Sequence, residues 1–173
     1  MPLTEADIQR LFRLLDDELR ATNIRAELFL VGGAVMCLAY SARPSTQDID
    51  AVFKPHKQVR EAAARVAARA GIHPDWLNDG VKEFMSANGE FAAFLELDHL
   101  KVMIASPDYL LAMKCLAMRI GAEFRDEDDV RYLLRHLDIR TPEQAIATIT
   151  RYYPLERFPQ KTLYALQELL PVS

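Results

Sequence analysis

Cysteine is scarce in this chain, with two residues, Cys37 and Cys115, among 173. Both fall inside apolar helical patterns, so they read as small buried hydrophobes in a reducing compartment, and neither a disulfide nor a metal site is expected of them. Histidine is equally thin: His56, His73, His99 and His136 are scattered, and none has zinc-ligand spacing with a cysteine or another histidine. Long hydrophobic runs are missing too. The longest, Leu28 to Ala39, is too short to span a bilayer, and the opening "MPLTEADIQR" has no signal-peptide core. The expectation is a soluble, cytoplasmic protein without a membrane partner. Nor is there an excess of positive charge: the net charge is −4 and the pI about 5.6, so the strongly basic footprint of a dedicated nucleic-acid binder is absent. Arginine does gather late in the chain, at Arg119, Arg125, Arg131, Arg135, Arg140, Arg151 and Arg157.

What is present suits a compact domain with a real core, since half the residues are hydrophobic and 27% are charged. "PLTEADIQRLFRLLDDELRAT" has apolar residues at a helical period, with Thr4 as its N-cap. "AELFLV" reads as a buried strand, Gly32 and Gly33 break it, and "AVMCLAYSA" follows as a short buried helix. "TQDIDAVF" is a second strand, and "HKQVREAAARVAARAG" an amphipathic helix ended by Gly71. "HPDWLNDGVKEFM" reads as a loop and a short helix. "FAAFLEL" and "LKVMIA" form two strands around a tight turn at Asp98 and His99. Everything from Ser106 onward reads helical, with Ser106 and Thr141 each placed as a cap before a proline. The division is an α/β part, residues 1–105, then a helical segment, 106–173.

The chemistry gathers at Asp48 and Asp50. Residues i and i+2 of a strand share a face, about 6.5–7 Å apart, while Ile49, Ala51 and Phe53 turn to the core. Two carboxylates so placed suit magnesium or manganese, which take few carboxylates and complete their shell with water and phosphate oxygens. A D-x-D alone is weak evidence, since such pairs usually cap turns or face water. Gly32 and Gly33, between strand and helix, let a backbone approach a ligand without a Cβ in the way and turn N–H groups toward a phosphate. Ser45 and Thr46 either donate hydroxyls to that phosphate or order the loop.

In order, "VGGAVMCLAYSARPSTQDIDAVF" resembles the signature of the nucleotidyltransferase superfamily of the DNA polymerase β type. It resembles most the AbiEii-type toxin nucleotidyltransferases, in which an arginine and a Ser/Thr, here Arg43 and Thr46, precede the aspartates. The helix "YLLAMKCLAMR" and the acidic "RDEDDV" continue the likeness, which covers residues 28–138. It implies an α/β (α+β) fold, a small mixed sheet flanked by helices with a C-terminal helical segment. The activity it implies is transfer of a nucleoside monophosphate from an NTP to an acceptor hydroxyl, with an RNA or tRNA end as acceptor and an antitoxin protein as partner. Lys114 is implied as a cleft lysine. Asp129, on the edge of the buried face set by Val130, Leu133, Leu134 and Leu137, would orient Lys114 or Arg119, with Asp126 as N-cap and Asp128 in a solvated ion pair. The superfamily's third carboxylate, supplied by a neighbouring strand, is missing from "LKVMIA", and Glu96 is the substitute. That gap leaves a second reading open, a non-catalytic binding protein on the same scaffold.

Overall fold

The computed structural model describes residues 2–118 and 126–171. The chain forms two compact units, Met1–Glu83 with Phe91–Ala105 and Phe84–Glu90 with Ser106–Ser173.

In the first unit, β1 (Leu3–Thr4) leads into α1 (Glu5–Ala21). The Thr4 hydroxyl accepts from the Asp7 N–H and the Asp7 carboxylate accepts from the Thr4 N–H, a capping box that fixes the helix start. From α1, Ile8, Leu11, Phe12, Leu15 and Leu19 are all buried, each stabilising by about 1.5–3 kcal/mol before entropy is counted. The chain continues through β2 (Ala26–Val31), α2 (Gly33–Leu38), β3 (Ser45–Thr46), β4 (Ile49–Lys54) and α3 (His56–Ala70). Gly71 then ends α3 at φ 67°, a left-handed cap that favours glycine. β5 (Leu77–Asn78), β6 (Phe91–Glu96) and β7 (Leu100–Ala105) complete a mixed sheet of order β5-β4-β2-β7-β6. β2 runs parallel to β7 and β4 parallel to β5, while β2–β4 and β6–β7 are antiparallel.

Alternation along β4 places the site. Ile49, Ala51 and Phe53 are buried, whereas Asp50 and Val52 are half-buried on the other face and Lys54 is exposed. α1 and α3 lie side by side and are clamped by Glu18, which takes Arg65 at 2.9 Å and Arg69 at 3.0 Å. Two short features departed from expectation. β1 and β3 form a separate two-stranded ladder, Leu3 opposite Thr46. "HPDWLNDGVKEFM", read as a loop and a short helix, also carries β5.

The second unit holds α4 (Pro107–Leu116), α5 (Asp126–His136), α6 (Pro142–Ile149) and α7 (Gln160–Leu169). Ser106 caps α4 and Thr141 caps α6 through their hydroxyls, as the proline pairs predict. α4 is shorter than its apolar pattern implied, ending at Leu116. Residues 84–90 join this unit because Ser86 N–H donates to the Tyr109 hydroxyl and Ser86 Oγ to the Tyr152 carbonyl. Gly89 has Tyr109 ring atoms 2.6 Å from where a Cβ would stand, so no larger residue fits there without a shift.

Both cysteines are buried and free. Burial pushes the Cys115 thiol up to about 12 and raises that of Cys37, as befits packed hydrophobes.

Candidate active site

Val31 stands opposite Asp50 in the β2–β4 pair, so the glycine turn after β2 and the aspartates of β4 meet at one end of the sheet. Gly32 has φ 72° and ψ −151°, a conformation only glycine adopts readily. A Cβ on Gly32 would lie 3.0 Å from Asp50 Oδ2, and one on Gly33 would lie 2.8 Å from an Arg43 guanidinium nitrogen and 2.9 Å from Thr46 Oγ1. The space over the glycines was expected to admit a ligand. In the structure it admits the chain's own Asp50, Arg43 and Thr46. The helix that follows, α2, has only six residues, and its dipole adds little.

Asp48 immediately precedes β4 and is held twice. Its carbonyl accepts from Thr46 Oγ1 at 3.1 Å, and its carboxylate Oδ2 accepts from Asn78 Nδ2 at 3.1 Å. Thr46 is buried and its hydroxyl proton is committed to that carbonyl, so of its two expected roles the structure displays loop ordering. Ser45 sits in β3 opposite Thr4. Gly32, Gly33, Arg43, Thr46, Asp48 and Asp50 are thus gathered in one place, with Ser45 on its edge. Asp48 also lines a cavity of about 660 Å³, walled by Leu3, Arg10, Leu11, Ile72 and Trp76.

Glu96 is not brought to this place. It pairs with Lys101, which is level with Glu27 and so with Lys54, and β6 is three strands from β4. That puts it about 14 Å across and about 13 Å along the sheet from Asp50, too far to share an ion. As a substitute third ligand Glu96 is corrected by the strand order.

Lys114 and Asp129 belong to the second unit and form an ion pair there. The ammonium lies 2.7 Å from Asp129 and 3.8 Å from Asp126, with the lysine side chain 12% exposed and the two carboxylates less so. The single charge in "YLLAMKCLAM" therefore does not snorkel to water but meets carboxylates from α5. Asp126, expected as a cap, is buried in the first turn of α5 within reach of Lys114. Asp128 is exposed and pairs with Arg131 at 3.5 Å, as expected. Arg119 lies outside the described residues.

Oxygen donors suit a hard divalent cation. Oδ1 of Asp48 has no hydrogen bond among the described residues, so this carboxylate fits such an ion through that oxygen. Among the described residues no cluster of three or more His, Cys, Asp or Glu stands ready for a metal. Sequence reasoning missed Asn78, because a two-residue strand leaves no period to read.

Residues 7–163 match the family described as nucleotidyltransferase of unknown function (DUF6036). The chain belongs to that family. Its fold is similar to the crystal structure of an antigenic nucleotidyltransferase-like protein from Paracoccidioides brasiliensis, at a TM-score of 0.50 and 16% identity, covering 96% of each chain. At that identity the likeness is one of fold. No curated protein matches the chain. This family member has no described helix long and apolar enough to cross a membrane.

Proposed function

We propose that this nucleotidyltransferase-family chain moves a nucleoside monophosphate from an NTP to an acceptor hydroxyl. The observation that carries the reading is the juxtaposition of Asp48 and Asp50 with Arg43 across the Gly32–Gly33 turn: ligands for a cation beside a group for an anion, which a metal–nucleotide needs. Asp48 and Asp50 would hold magnesium or manganese, which when bound neutralises phosphate charge. Arg43 binds a phosphate oxygen, and Thr46 keeps the loop that carries Asp48 in place. The acceptor oxygen bonds to the α-phosphorus as the bond to the bridging oxygen breaks. Pyrophosphate leaves, and the acceptor's proton passes to water.

The narrower resemblance to AbiEii-type toxins supports an RNA end, that of tRNA included, as the acceptor, with an antitoxin protein as partner. Incubating the protein with α-labelled NTPs, magnesium and total RNA tests both levels. Metal-dependent label in RNA, lost in Asp50→Asn, is the expected result; equal labelling by that variant would overturn the reading. One observation favours the second reading, a binding protein without turnover. The side chain that reaches Asp48 from the neighbouring strand is an amide, not a carboxylate able to act as general base. Metal-dependent NTP binding with no label in any acceptor fraction is its signature.

A further inference from the structure

The aspartates of β4 have a neighbour on each side. Toward β2 lie the glycines; toward the sheet's edge lies β5, which runs parallel to β4 with Asn78 in register with Asp50. The Asn78 side chain is fixed at both ends. Its Oδ1 accepts the Gly80 N–H at 2.8 Å, which assigns the amide's orientation, and its Nδ2 donates to Asp48 Oδ2 at 3.1 Å. The turn that carries it is anchored in its own right. Asp79 is only 14% exposed and takes His56 at 2.5 Å, Arg60 at 2.6 Å and Lys82 at 3.6 Å, the first two from α3.

An asparagine has the shape of an aspartate without the charge, and half of its head is a donor. We infer that Asn78 is the third member of the acid-pair site, a positioning residue that holds one oxygen of Asp48 and leaves the other for a divalent cation. It stands where an aspartate would itself be a ligand. The site therefore offers an ion two charges instead of three, and binds it weakly unless phosphate oxygens complete the shell. Metal and nucleotide bind together here, neither well without the other. The inference rests on Asp48 and Asp50 as cation ligands, the reading proposed above.

The test is titration of the full chain with Mn²⁺ alone, counting free ion by its paramagnetic resonance, for wild type, Asn78→Asp and Asn78→Ala. Asn78→Asp keeps the acceptor for Gly80 and so the turn, while replacing the donor with a charge. It is expected to bind Mn²⁺ about tenfold more tightly than wild type, a gain that disappears when Asp48→Asn is added. Asn78→Ala is expected to bind about tenfold more weakly. Circular dichroism of each variant verifies the fold; should Asn78→Asp lose it, Asn78→Ala and the Asp48→Asn/Asn78→Asp exchange, which restores a donor–carboxylate pair, decide in its place. An unchanged or weaker affinity in folded Asn78→Asp overturns the third-member assignment, and an unchanged affinity in Asn78→Ala overturns the positioning role. Nucleotide is absent from these titrations, so a gain in Asn78→Asp supports the inference even where wild type fails to bind NTP, and the two failures are told apart.

Discussion

Gly32 and Gly33 look alike in sequence but tolerate change differently. Gly32 combines a positive φ with a carboxylate oxygen 3.0 Å from its would-be Cβ. Gly32→Ala is expected to cost about 1–2 kcal/mol of stability through strain and to push Asp50 aside, seen as a lowered melting temperature. Gly33 is helical, where alanine is favourable by about 1 kcal/mol, but a Cβ there meets the flexible end of Arg43 and the buried Thr46 hydroxyl that holds the Asp48 carbonyl. Gly33→Ala is expected to fold, to melt below wild type but above Gly32→Ala, and to lose nucleotide affinity as Arg43 and Thr46 move. The pairing of glycines with aspartates was legible because the spacing is local to one strand–helix–strand unit. Their immediate partners were not: that Asp50 covers Gly32 follows from the β2–β4 register, and that Arg43 covers Gly33 from the path of the loop between α2 and β3, neither of which one sequence contains.

Elements differ in how well their sequence announced them. α1, β2, α3, the β6–β7 hairpin and α7 have strong periods or caps and stand where read, and α6 starts at its cap but ends at Ile149, short of the helix read through to Tyr153. β5 has two residues, too few for a pattern to announce it or Asn78 beside the acid strand, and only the strand order shows that Glu96 on β6 lies away from that strand. Two element contacts give measurable consequences. Glu18 joins α1 to α3, and Arg65, then Arg69, hold its carboxyl below the usual range against the opposing effect of burial. A carboxyl lowered on folding stabilises above its unfolded pKa and loses that contribution as pH falls through the folded one. Glu18→Gln is therefore expected to cost about 1 kcal/mol near neutral pH. The deficit should stay constant down to about pH 5 and shrink below about pH 4, as read by denaturant titration across pH. Lys114 joins α4 to α5 through Asp129 and Asp126. Lys114→Met strips a buried cation from two carboxylates and is expected to cost about 3 kcal/mol, with Lys114→Met/Asp129→Asn recovering part of it.

At the scale of the whole molecule, three of the described late arginines are tied to carboxylates, Arg131 to Asp128, Arg140 to Asp138 and Arg151 to Asp108, which lowers the positive charge they present. Family membership places the chain among nucleotidyltransferases of unknown function; the function proposed for it stands or falls at the corner holding Gly32, Gly33, Arg43, Asp48 and Asp50. Isothermal titration with each of the four NTPs, with and without magnesium, on wild type and Asp48→Asn/Asp50→Asn addresses that directly. Magnesium-dependent binding of at least one nucleotide, lost in a double variant that melts as wild type does, is the expected result. Binding that ignores magnesium, or that survives in the double variant, would contradict it.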